Sequence, residues 1–238
     1  MCTVLLATRV SRTWPLLLAA NRDERLARPW SPPAAHWPDQ PNVIAGQDRL
    51  AGGTWLGLNQ EGVVAAVLNR TGSLGPAPGK RSRGELPLLA LKHPTAHQAA
   101  HAIAALDAGF YRSFNLLIAD RKAAYFLRGI GEGRITSHPL PPGLHMVTAQ
   151  DPNDPASPRT ARHLPKFRAT PIPNPPDWST WPTLLADHGP PLDSALNVPP
   201  TQGFGTTTST LLALGPIAHF CTTPGPPGTA AFQPVPLW

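Results

Sequence analysis

Three places near the amino end carry groups that could do covalent chemistry: Cys2, the run Asn21-Arg22-Asp23-Glu24, and Asn69. Cys2 follows a single Met, and a small residue at position 2 normally lets the cell remove Met1. Thiol and free α-amine would then share one residue. An α-amine with a pKa of about 7.7–8.0 can take the proton of a thiol whose ordinary pKa is about 8.5. That is the nucleophile-plus-base arrangement of covalent catalysis. The plainer reading of Cys2 is a small hydrophobe opening a buried strand. Asn21-Arg22-Asp23-Glu24 reads either as a solvated turn with a local ion pair or as a polar cluster at the rim of a pocket. Asn69, where an apolar run ends, is either a turn former or a side-chain N–H for a developing oxyanion. His93, His97 and His101 recur at helical spacing. The apolar positions of that helix lie on its other side and no acid joins the histidines, so they read as a solvated face, not a metal site.

The elements around these groups read as strands first. Residues 2–10 and 15–20 are apolar runs joined by a short loop, a hairpin covered on both faces, with Asn21–Glu24 directly after its second strand. The two ends of that hairpin meet, which brings residue 2 beside residues 21–24. Residues 25–42 read as a Pro/Trp-rich loop and 43–46 as a short strand. A second hairpin pairs 54–58 with 63–68 and ends at Asn69. Helices are expected from Gly84 to about Lys92 and, capped by Thr95, over 96–108. Four short strands, 114–119, 124–128, 134–138 and 144–149, read as one antiparallel meander. Helices follow at 158–168 and 179–188, then a β-prone run over 204–214, a strand at 217–222 and a last one within 230–235. Antiparallel strands with helices inserted between them indicate an α+β layered domain, with 1–238 read as one domain.

Composition narrows the function classes. There are 32 prolines in 238 residues, well above the usual share of about 5%, and they fall in loops. The net charge is +6, but the basic residues are scattered. The densest group, Lys80-Arg81-Arg83, has no interleaved aromatics, so a nucleic-acid partner is not expected. No stretch reaches the roughly 20 apolar residues of a membrane helix, and residues 9–20 make a poor signal peptide. Two cysteines at this spacing give neither a disulfide framework nor a metal site, and no cofactor is implied. A cytoplasmic location follows as the expectation.

Cys2, Asn21-Arg22-Asp23-Glu24, Gly52-Gly53-Thr54-Trp55-Leu56-Gly57 and Leu68-Asn69 together resemble the NRDE family, the transport-and-Golgi-organisation type. Arg83-Gly84-Glu85-Leu86, Phe114-Asn115-Leu116-Leu117 and Gly205-Thr206-Thr207-Thr208-Ser209-Thr210 fall in the same order. That family looks like the N-terminal-nucleophile hydrolases of the penicillin-acylase and bile-salt-hydrolase branch. The resemblance implies a four-layer αββα sandwich of mostly antiparallel sheets. It implies Cys2 as nucleophile, Asp23 and Arg22 as its orienting pair, Asn69 at the oxyanion, and Asn21, Trp55 and Thr207 on the substrate side. Two places depart from the family pattern: Thr148-Ala149 stands for a Ser-Asn pair, and Thr207 for an arginine. Two functions remain. One is a cysteine amidohydrolase acting on a C–N amide bond of a small acylated substrate. The other is a non-enzymatic binding or trafficking protein for lipid, acyl-CoA or haem-like ligands in the same pocket.

Overall fold

The computed structural model describes residues 2–238; the expected loss of Met1 lies outside them. The chain divides into two compact units. One is built from residues up to Ala27 together with Pro142–Pro236, the other from Arg28–Pro141 with the last two residues.

In the first unit, β1 (Thr3–Thr8) and β2 (Leu16–Arg25) form the expected hairpin, pairing from Thr8 opposite Leu16 to Thr3 opposite Asn21. β2 does not stop before Asn21. Asn21 to Glu24 lie within the strand, and Asn21, Arg22 and Asp23 are buried. The reason is β11 (Phe204–Leu214), which pairs along all of β2 and brings a row of hydroxyls to its polar end. β10 (Gly143–Val147) adds to the other side of β1, while β12 (Ala218–Thr222) and β13 (Gln233–Pro234) extend the far edge of a six-stranded antiparallel sheet. β10 was expected to close the meander of residues 114–149; it leaves that meander and belongs to this sheet. Periodicity shows that a segment is a strand, not which sheet will take it.

Leu5, Ala7, Leu17, Ala19, Leu211 and Ala213 share one sheet face, against Leu164 and Phe167 of α3 (Pro158–Ala169) and Trp181 and Leu185 of α4 (Trp181–Leu185). Phe167 and Trp181 meet edge to face at 5.7 Å. The alternate residues Val4, Leu6, Leu18 and Leu212 are also buried. Both faces of these strands are therefore dry, which is why they read as unbroken apolar runs.

The second unit is a seven-stranded antiparallel sheet in sequence order. It runs β3 (Trp30–Ala34), β4 (Val43–Asp48), β5 (Leu56–Asn59), β6 (Val64–Asn69), β7 (Phe114–Ala119), β8 (Ala124–Gly129) and β9 (Thr136–Pro139). β3 falls in the stretch expected to be a loop. Its Pro32 and Pro33 sit at a register shift on the sheet edge, where a missing N–H costs no ladder bond. The helices α1 (Glu85–Ala90) and α2 (Ala96–Ala104) lay Leu86, Leu91, Ala99 and Ile103 on Val43, Val63, Leu116 and Ile118. Thr95 caps α2 as expected, accepting from the Gln98 amide at 3.2 Å. Gly53 abuts Gly84 so closely that a Cβ would lie 2.5 Å from its backbone. The Thr54 amide donates to the Gly84 carbonyl there, so two of the sequence's glycine-bearing signatures meet. No helix among the described residues is long and apolar enough to cross a membrane.

Candidate functional site

The first unit gathers Cys2, Asn21, Arg22, Asp23 and Thr207 at the end of the β1–β2 hairpin. Cys2 is half-buried, and its Sγ makes a weak contact of 3.5 Å with the Asp23 carbonyl. Thr3 stands opposite Asn21, so strand alternation puts Thr3, Asn21 and Asp23 on one face and Cys2 with Arg22 on the other. The contact between Cys2 and Asp23 therefore runs through the aspartate's backbone, while its carboxylate points across the sheet.

There the carboxylate is fully enclosed. Asp23 Oδ2 pairs with Arg159 Nη1 at 2.8 Å, and Oδ1 accepts from Thr206 Oγ1 at 2.6 Å. The same Arg159 nitrogen donates to Thr3 Oγ1 at 3.1 Å. Thr206 Oγ1 in turn accepts from the Val198 amide at 2.7 Å. The amide nitrogen of Asn21 donates to the Leu185 and Leu196 carbonyls, both at 2.9 Å, and its oxygen accepts from Ser209. On the face of Cys2, Arg22 Nη1 donates to Thr207 Oγ1 at 3.1 Å and Thr207 Oγ1 donates back to the Arg22 carbonyl at 3.1 Å. Thr207 occupies the register shift of β11, between Thr206 and Thr208. Glu24 lies 3.9 Å from the Arg22 guanidinium.

Burial pushes the Cys2 thiol above its ordinary range, and the Asp23 charge pushes it further the same way, while Arg22 opposes the rise. The thiol is therefore protonated at neutral pH, and attack from it requires a base.

Arg159, Thr206 and Thr3 escaped the sequence reading. Arg159 had one signal available. Ser157-Pro158 marks a helix start, so Arg159 falls in a first turn that holds no acid, where a cation opposes the helix dipole. Thr148, at the end of β10, donates at 3.0 Å to Ser157 Oγ, which caps α3 by accepting from the Thr160 amide. The residue standing for the family's Ser-Asn pair thus holds the helix that presents Arg159.

Asn69 and Trp55 belong to the second unit. Asn69 ends β6 opposite Phe114, half-buried, and its side-chain amide makes no hydrogen bond among the described residues. The next residue, Arg70, donates to the buried Asn115 Oδ1 at 2.6 Å. Trp55 packs edge-on to Trp30 at 5.8 Å, over Gly46, whose hydrogen leaves room for the indole.

A family model described as Transport and Golgi organisation 2 matches residues 1–171. The Transport and Golgi organization 2 homolog of Mus musculus is 36% identical over 110 residues, 44% of this chain and 38% of that protein. The Homo sapiens homolog is 35% identical over 46% of this chain and 40% of its own length. The chain thus matches well under half the length of these relatives. Among solved structures, a Caenorhabditis elegans N-acylethanolamine-hydrolyzing acid amidase ortholog superposes with a TM-score of 0.62 at 12% identity, covering 89% of this chain and 92% of its own. A mutant of conjugated bile acid hydrolase from Clostridium perfringens gives 0.56 at 11% identity over 99% and 92%. The chain has the α+β, mostly antiparallel fold of these two solved structures, as its sequence led us to expect.

Proposed function

The chain belongs to the Transport and Golgi organisation 2 family, and from that premise we propose that it is a cysteine amidohydrolase whose nucleophile is Cys2 once Met1 is removed. The observation that carries this reading is the placement of Cys2 against the Asp23 carbonyl, on the face of Arg22, in a chain with an amidase fold. The freed α-amine takes the thiol proton, and the thiolate attacks the carbonyl carbon of a C–N amide. The oxyanion accepts from backbone N–H groups. Collapse breaks the C–N bond, and the amine leaves with the proton held by the α-ammonium. A water molecule, deprotonated by the same amine, then cleaves the thioester and releases the acid. Arg22, held by Thr207, lowers the cost of the thiolate. Both cysteines are free thiols, which suits a cytoplasmic location.

A second reading, a non-catalytic pocket for lipid, acyl-CoA or haem-like ligands, is favoured by the protonated thiol and by Thr207 in place of an arginine. The deciding experiment is intact mass spectrometry of the purified chain with and without short N-acyl amides and a penicillin. The hydrolase reading expects loss of Met1 and an acyl adduct absent from Cys2→Ala. A retained Met1 with no adduct at Cys2 would favour the binding reading.

A further inference from the structure

Arg159 is buried at the wrong end of its helix for a cation and is held in an ion pair with a fully enclosed carboxylate. Replacing such a pair by apolar groups is often neutral or stabilising, so stability alone is a weak account of it. Its geometry gives a better one. The β1–β2 ladder has its last rung at Thr3 and Asn21, so Cys2 lies one residue beyond the pairing that would fix it. A single guanidinium nitrogen bridges that gap. It binds the side chain of Thr3, the residue next to Cys2, and the side chain of Asp23, whose carbonyl meets the Cys2 thiol.

We propose that Arg159 is a positioning residue for Cys2: its guanidinium pins Thr3 to Asp23, seats the thiol at the Asp23 carbonyl, and neutralises the Asp23 carboxylate on the other face of the strand. The proposal rests on reading Cys2 as the nucleophile. The clamp acts through the sheet, not by touching a substrate. Its electrostatic part has a definite sign. With Arg159 gone, the Asp23 carboxylate is left uncompensated and opposes ionisation of the thiol. With the Asp23 charge gone, its opposition to the thiolate is removed.

Alkylation by iodoacetamide tests this without turnover. The chain is labelled across pH 6.5–10, and Cys2 and Cys221 are quantified separately by peptide mass spectrometry. Cys221 is half-buried on β12 and serves as a reference within the same molecule. Arg159→Gln is expected to move the Cys2 midpoint up and cut its labelling at pH 8 about tenfold, leaving Cys221 unmoved. Asp23→Asn should move the Cys2 midpoint down, and Arg159→Lys should hold it near wild type. A Cys2 midpoint unchanged in Arg159→Gln overturns the proposal, and so does a Lys variant displaced as far as the Gln variant. Should Arg159→Gln not fold, Asp23→Asn carries the test, and an unmoved midpoint there is equally decisive. Amide turnover is measured alongside. Midpoints that shift as expected in a chain without turnover overturn the hydrolase reading and leave the clamp standing; turnover with fixed midpoints does the reverse.

Discussion

A carboxylate as deeply buried as that of Asp23 survives only if both its oxygens are occupied, and the partners it uses are worth more than their number suggests. Thr206 is one of them. Its hydroxyl donates to Asp23 and accepts from the Val198 amide, so an isosteric Thr206→Val removes a donor and an acceptor while keeping the shape. The expected cost is about 1–3 kcal/mol in urea unfolding, the price of leaving buried polar groups unmet. Thr206→Ser, which keeps the hydroxyl, should recover most of it. A valine variant as stable as wild type would show that water reaches the carboxylate. At this scale Arg22 and Asp23, adjacent in sequence, have separate duties: one guanidinium on the face of the thiol, one carboxylate spent inside the unit.

Among the elements, α3 brings buried polar side chains into its unit: Arg159 faces Asp23, and His163 lies on its core side. His163 Nε2 hydrogen-bonds to the Ser194 carbonyl at 2.8 Å, and Nδ1 has no hydrogen-bond partner among the described residues. Burial pushes this imidazole below its ordinary value, so the folded chain holds it neutral where the unfolded chain takes up a proton. Its contribution to stability is complete above the unfolded value of about 6.5 and is lost as pH falls below it. His163→Gln, which can still donate to Ser194, should show a smaller drop in urea midpoint between pH 7.5 and pH 5.5 than wild type. Equal drops would assign the acid sensitivity to other groups. Much at this scale was legible beforehand: the β1–β2 hairpin, the capped α2 and the long β11 follow from apolar runs and Thr95. The polar end of β2 was not, because its partners come from far along the chain. Arg159 is 136 residues from Asp23, Thr206 is 183, and Ser209 is 188 from Asn21. Four polar residues in a row look like a turn until those partners are known.

At the scale of the molecule, chain order and assembly order differ. The second unit is almost one continuous segment, Arg28–Pro141, whereas the first joins the head of the chain to Pro142–Pro236. Contacts between distant residues cost more loop entropy before they are rewarded. In pulse-labelled hydrogen exchange during refolding, amides of β5–β8 should therefore gain protection before those that pair β2 with β11; simultaneous protection would mean that both units fold in one step. The resemblance to a family covered both units, and so the fold was legible even where strand partners were not. The row of hydroxyls on β11 has a consequence in time. On the ribosome, β2 emerges well before Arg159 and Thr206, which lie 136 and 183 residues beyond Asp23. Until they do, the Asp23 carboxylate is still in water. The last third of the chain then encloses that carboxylate, so its ion pair is among the later contacts the chain completes.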